Sequence, residues 1–96
     1  MRVRFTVPAQ ADLENIYTYI TQQNPFAAER VKAQIKADAE GLGEFPFAAR
    51  ATTMPEMRAK KVKRYPYLIF YTIRDEEVLI LHVRHGARRW PWEEDQ

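Results

Sequence analysis

With 96 residues and a hydrophobic fraction of 46%, the chain is long enough for one small domain with a compact core and too short for a second. It contains no cysteine, which excludes disulfides and a thiolate nucleophile, and two histidines with scattered carboxylates are a poor donor set for zinc. We therefore expect neither a metal nor a cofactor. No segment approaches the ~20 apolar residues that span a bilayer, and no signal peptide is evident, so the expected location is the cytoplasm.

The first half of the chain predicts one strand followed by two helices. Alternating apolar residues predict a strand over residues 2–7, which a proline ends. Apolar residues then recur at helical spacing and predict a helix over about 8–23. Asn24 and Pro25 are a typical N-cap and first position of a second helix, whose apolar face continues to Leu42. Two helices joined so closely are expected to form an antiparallel hairpin.

The second half of the chain predicts a loop and then three strands. Residues 44–57 have no clean period, so we interpret them as a loop packed down by its apolar side chains. A basic strand is predicted over 59–65, an apolar strand over 67–73 and another over 78–85, with a charged turn between the last two. The strand at 67–73 is apolar on both faces, which indicates a position in the middle of the sheet.

The order of these elements predicts an α+β fold (β-α-α-β-β-β) in which the helical hairpin covers one face of an antiparallel sheet, with residues 1–96 forming a single domain. Alternation along the last strand predicts which side chains face the helices, namely Leu79, Leu81 and Val83. The intervening side chains are then expected on the open face of the sheet, namely Ile80, His82 and Arg84.

Two basic stretches are the candidate binding surface, although the net charge is only +2. If they are neighbours in space, they form a positive patch suited to a polyanion or an acidic protein. The alternative is a solvated basic edge that merely discourages aggregation. The first stretch comprises Arg58, Lys60, Lys61, Lys63 and Arg64, and the second comprises Arg84, Arg88 and Arg89, followed by Trp90, which could close the core or contact a partner.

The second stretch also has catalytic potential. Metal-independent cleavage of RNA through its own 2′-hydroxyl needs a base near neutrality, a proton donor and cations around the phosphate. His85 could act as the base or acid, with Arg84 and Arg88 as the phosphate clamp, so an enzyme of this sequence would be a metal-independent endoribonuclease. The alternative for both histidines is a structural role in packing. Serine nucleophiles are excluded, since the chain contains no serine.

Several stretches together resemble the RelE/ParE superfamily, the toxin halves of bacterial type II toxin–antitoxin pairs. They are ADLENIYTYI at 11–20, NPFAAERV at 24–31, EFP at 44–46, and KRYPYLIFYTI followed by VLILHVRHGARR. The resemblance covers about residues 2–89 and is closer to the ParE branch. It implies the same helical hairpin on an antiparallel sheet. It also implies a short antitoxin, encoded beside the toxin, that wraps and neutralises it.

The resemblance leaves two activities open. ParE-like members bind DNA gyrase and stabilise its cleaved complex with DNA, whereas RelE-like members cut messenger RNA in the ribosomal decoding site. Arg88 matches an arginine that RelE-like nucleases carry after the last strand. Leu68, however, stands where their central strand has an arginine, and no tyrosine follows Arg88.

The sequence therefore favours a gyrase-binding toxin that arrests growth. A ribosome-dependent endoribonuclease is the first alternative, and an inactive toxin-fold module that only binds the antitoxin is the second. The expected partners are the cognate antitoxin and DNA gyrase, with the ribosome and its message in gyrase's place under the nuclease alternative. Neither membrane association nor sequence-specific DNA binding by this chain alone is expected.

Overall fold

The computed structural model describes residues 1–86, which form two helices and five strands. In chain order they are β1 (Arg2–Phe5), α1 (Val7–Thr21), α2 (Pro25–Gly41), β2 (Arg50–Ala51), β3 (Arg58–Lys61), β4 (Tyr67–Arg74) and β5 (Glu77–His85). The α+β class and the helical hairpin packed against a sheet are confirmed. Neither helix of residues 1–86 combines the length and apolar character needed to cross a membrane.

Both helices begin at the capping residues of their sequence. The Thr6 hydroxyl accepts the Ala9 N–H at 3.4 Å, and Asn24 Oδ1 accepts the Ala27 N–H at 3.1 Å. Each cap satisfies a backbone donor that the helix itself leaves unpaired. A proline in each first turn costs nothing, because those N–H groups have no intrahelical acceptor. The predicted second helix is confirmed at its cap, and the first is shorter than predicted, ending at Thr21.

The five strands form one sheet in the order β1-β5-β4-β3-β2, with β4 in the middle as predicted. The sheet is mixed, not wholly antiparallel, because β1 pairs parallel with β5. No hairpin turn joins these two strands, so the chain itself does not dictate their relative direction. The strand β2 lies within the predicted loop at 44–57, and two residues are too few to show an alternating pattern.

The core lies between the helical hairpin and one face of the sheet. The helices contribute small and branched apolar side chains, and Leu42, just after α2, is also buried in this core. The largest buried side chains of the sheet belong to β4 and β5. Buried members of this core include Ala9, Leu13, Val31, Ile35 and Ala39 from the helices, and Ile69, Tyr71, Val78, Ile80 and Val83 from the sheet.

A β-bulge at Leu81 changes which side chains of β5 face the helices. His82 pairs with Phe70 and Ile80 pairs with Tyr71, so Leu81 has no partner on β4. The predicted alternation is therefore wrong for Leu79 and Ile80, because Ile80 lies in the core and its neighbour Leu79 points to the other face, and it is right for Val83. The extra residue resets the period of two, and a period count along the sequence cannot detect it.

Two non-glycine residues of the β4–β5 hairpin turn have left-handed backbone conformations, with positive φ. Asp75 and Glu76 have φ angles of 54° and 59°, as a two-residue type I′ turn requires. Asp tolerates this conformation because its short side chain can bond locally, whereas Glu gains no such compensation. The turn therefore stores strain at Glu76.

We expect Glu76→Gly to stabilise the fold by about 1 kcal/mol, because glycine adopts positive φ without a Cβ clash. Urea and thermal unfolding measure the change. Lys36→Gly, on the exposed face of α2, is the matched control and is expected to cost about 1 kcal/mol. Destabilisation by both glycines would contradict the assignment of strain to Glu76.

Candidate functional site

The carboxylate of Asp12, on the buried side of α1, contacts three consecutive residues of β5. Its Oδ2 lies 3.0 Å from Nδ1 of His82 and accepts the backbone N–H of Val83 at 2.9 Å. Its Oδ1 accepts Nη1 of Arg84 at 2.8 Å. An ionised carboxylate can accept on both oxygens, so this one group holds a backbone donor and two side chains at once.

Asp12 occupies this place because β1 ends before β5 does. The β1–β5 ladder stops at Phe5 and Ile80, after which Thr6 donates its N–H and its hydroxyl to the carbonyl of Ile80, at 3.0 and 2.7 Å. Beyond that point α1 runs beside the strand edge. Asp12 then accepts the Val83 N–H that a longer β1 could have paired, so a side chain continues the ladder.

Asp12 is not among the site residues predicted from the sequence. The signal that could have found it is its phase on α1, since Asp12 follows Ala9 by three residues and precedes Ile16 by four. A carboxylate on the apolar stripe of a helix is expected to have a specific partner, because an unpaired buried charge is costly.

By strand register His82 and Arg84 lie on the face of the sheet away from the core residue Val83, as predicted, but that face is not open at these two side chains. Both side chains are half-buried and reach Asp12 at the edge of the sheet. The guanidinium of Arg84 is therefore paired with a carboxylate, and a phosphate would have to compete with Asp12 for it. His82 contacts the same carboxylate through Nδ1.

His85 lies in a groove between α1 and the sheet. The groove has a volume of about 470 Å³, and Ile16 and Tyr19 of α1 line it opposite His85 and Arg84. The Tyr67 ring meets the His85 ring edge-on, with centroids 5.4 Å apart and planes at 82°. This arrangement places one imidazole, one guanidinium and two phenol rings around the same space. Within residues 1–86 no cluster of three or more His, Asp or Glu side chains could hold a metal.

The first basic stretch divides between structural and exposed positions. Arg58 donates Nη1 to the Ala49 carbonyl at 2.7 Å and lies over the Phe47 ring at 5.1 Å. Lys60 is half-buried against α2. The remaining members of the stretch are exposed, namely Lys61, Lys63 and Arg64. Arg58 is thus tied to the loop before β2, and the last three residues form the accessible basic surface.

The sheet brings the two basic stretches to the same end. Lys61 pairs with Leu68, and Leu68 pairs with Arg84, so the three residues form one row across β3, β4 and β5. Directly opposed residues point to the same face, and the backbones of Lys61 and Arg84 are about 10 Å apart across the central strand. The predicted positive patch therefore includes exposed Lys61, with Arg84 neutralised by Asp12. Arg88, Arg89 and Trp90 lie outside the described residues.

We expect Asp12→Ala to lower the free energy of unfolding by about 3 kcal/mol, because it removes the carboxylate that pairs with the half-buried Arg84 and accepts the Val83 N–H. Glu14→Ala is the matched control on the same helix, since Glu14 is exposed and 3.5 Å from Lys32. The control is expected to change stability by less than about 0.5 kcal/mol. Urea unfolding measures both, and equal losses would contradict the role assigned to Asp12.

Comparisons with known proteins agree with this fold. A family model described as the ParE toxin of the type II toxin–antitoxin system parDE matches residues 3–90. The chain is 36% identical over 90 residues to the protein Y4kP of Sinorhizobium fredii, covering 94% of this chain and 93% of that protein. It is 38% identical over 87 residues to Toxin RelE2 of Caulobacter vibrioides, covering 91% and 97% of the two chains.

The solved structure of the chromosomal ParDE toxin–antitoxin system from P. aeruginosa has the same fold. It superposes with a TM-score of 0.81 at 24% identity, covering 88% of this chain and 95% of that chain. The resemblance seen in the sequence is confirmed, because the family model spans almost the whole chain. The chain belongs to the ParE toxin family of type II toxin–antitoxin systems, within the RelE/ParE superfamily.

Proposed function

We propose that this toxin arrests growth by binding DNA gyrase and stabilising its cleaved complex with DNA, and that a cognate antitoxin neutralises it. The observation that carries the proposal is the Asp12–Arg84 ion pair. A nuclease of the RelE kind needs cations directed at the scissile phosphate. In this chain the β5 arginine is held by a carboxylate at 2.8 Å.

The central strand adds a second argument against nuclease chemistry. Leu68 lies directly opposite Arg84 in the ladder, at the position where RelE-like nucleases are expected to carry an arginine. The row across the sheet therefore contains an aliphatic side chain beside a neutralised cation. A surface of this composition favours binding over phosphate-transfer catalysis.

Exposed cations at the end of β3 would attract a negatively charged gyrase–DNA complex. Lys61 and Lys63 are exposed, and Arg64 follows them. Lys63 donates its backbone N–H to Asp38 at 2.7 Å, so the main chain of this basic surface is held in place while the side chains remain available. Charges of one sign at a rim mainly increase the rate of association with an acidic partner.

The His85 groove favours one second candidate, the ribosome-dependent endoribonuclease. Histidine is the side chain that most often serves as a general acid or base, and Tyr67 contacts the His85 ring within the groove. Under this alternative His85 would serve as general acid or base. Arg84 would first have to leave Asp12, and Arg88 would complete the phosphate clamp.

We expect the purified toxin to inhibit supercoiling by the cognate gyrase and to accumulate linear DNA. Replacing both Lys61 and Lys63 by alanine is expected to weaken inhibition roughly tenfold, more at low salt, because it removes the electrostatic attraction without touching the core. The matched control replaces Arg30 and Lys36, two exposed cations of α2, by alanine. The control is expected to inhibit like the unmodified toxin.

His85→Ala separates the two candidate functions. A gyrase poison is expected to keep its inhibition in this variant, whereas a nuclease would lose cleavage of ribosome-bound message. Untouched supercoiling at large toxin excess, together with message cleavage that requires His85, would replace the gyrase proposal by the nuclease. Failure of the toxin to impair growth when expressed alone would favour the inactive antitoxin-binding module.

A further inference from the structure

Two phenylalanine rings lie exposed on the loop between α2 and β3. Phe45 is 62% exposed and Phe47 is 65% exposed, although both are large apolar side chains. The loop leads into β2, which is the outermost strand on its side of the sheet. Two exposed rings separated by one residue beside a sheet edge are typical of a surface that another molecule covers.

The backbone that carries these rings is held from several sides. Pro46, between the two rings, accepts the phenol of buried Tyr71 at 2.6 Å. The Ala49 carbonyl accepts Arg58, and the Phe45 N–H donates to Gly41 at 3.1 Å. Burial raises the pKa of the Tyr71 phenol, which favours the protonated form that donates to Pro46. The two rings therefore lie on a loop that is already ordered. Binding of a partner loses little affinity to the entropy of ordering this loop.

A groove of about 230 Å³ lies beside Phe45, between the C-terminal end of α2 and β3. Leu42 and Ala48 give it an apolar lining, and Gly41 adds no side chain. A Cβ on Gly41 would meet no atom within 4 Å, so the space over this glycine is open. The groove can take an apolar side chain from a partner.

One lysine and one carboxylate line the groove. Lys60 lines it from β3 and, among residues 1–86, forms no ion pair. Asp38, which also lines the groove, already accepts from Gln34 at 2.8 Å and from the backbone N–H of Lys63 at 2.7 Å. The complement to this groove is therefore an apolar side chain with a carboxylate nearby.

We infer that Phe45, Phe47 and the groove beside Phe45 are the docking surface for an apolar, acidic segment of the cognate antitoxin. The inference rests on the proposed function for the identity of the partner. Aliphatic lining and a single lysine favour a protein segment over a nucleic acid, which needs cations along its backbone. Buried aromatic residues carry much of the energy of such contacts.

The experiment measures binding of the antitoxin encoded beside the toxin gene by isothermal titration calorimetry. Phe45→Ser with Phe47→Ser is expected to weaken binding on the order of 10- to 100-fold, and Lys60→Glu to weaken it roughly tenfold. Phe26→Ser is the matched control, because Phe26 is 77% exposed at the start of α2. Lys36→Glu is the control for charge reversal. All four variants are expected to unfold cooperatively, and those at Phe45/Phe47, Phe26 and Lys36 are expected to inhibit gyrase as the unmodified toxin does.

The outcomes separate this inference from the proposed function. Unchanged antitoxin affinity in the Phe45/Phe47 variant would overturn the docking surface and leave gyrase inhibition standing. Loss of gyrase inhibition in that variant, with antitoxin affinity kept, would assign the rings to the target instead. Weakened antitoxin binding by a toxin that never inhibits gyrase would support the surface and contradict the proposed target. Failure of the unmodified toxin to bind the antitoxin would contradict both.

Discussion

The fold depends on one carboxylate at the boundary between the helical layer and the sheet. Asp12 contacts His82, Val83 and Arg84 together, and in doing so it joins the middle of α1 to the part of β5 that β1 leaves uncovered. A hydrophobic contact could hold these layers together but would not fix their register. Three directional contacts to one group do so, because each loses most of its strength when distance or angle changes.

This constraint also determines what β5 can offer to a partner. The basic end of β5 was the strongest indication of a binding site in the sequence. Arg84, the arginine of this strand end that the structure describes, is paired with the carboxylate of Asp12. The charge count of a strand is thus a poor guide to its accessible charge when the neighbouring helix has an acidic residue on its inner face. The available cations shift to β3, where Lys61 and Lys63 face solvent.

The sequence predicts the helices and the central strand because their signals are local. A cap, a proline and a helical period lie within a few residues of one another at Asn24 and Pro25, and the apolar run of β4 is continuous. The parallel partner of β1 and the bulge at Leu81 arise from pairing between distant segments, which no local pattern encodes. The contacts of Asp12 likewise join distant segments, since its three partners are about 70 residues away along the chain.

The pleat of β3 explains how one short basic run can serve two partners. Lys60 pairs with core residue Ile69 and lines the groove beside α2, whereas Lys61 pairs with Leu68 on the other face. Adjacent residues of a strand point to opposite faces, so a segment confined to the groove would leave Lys61 exposed. Neutralisation by an antitoxin docked at Phe45 therefore requires that the antitoxin continue past the β2 edge, or that its bulk exclude the target sterically. An antitoxin that continues in this way has to pass only the two residues of β2 to reach the other face of the sheet.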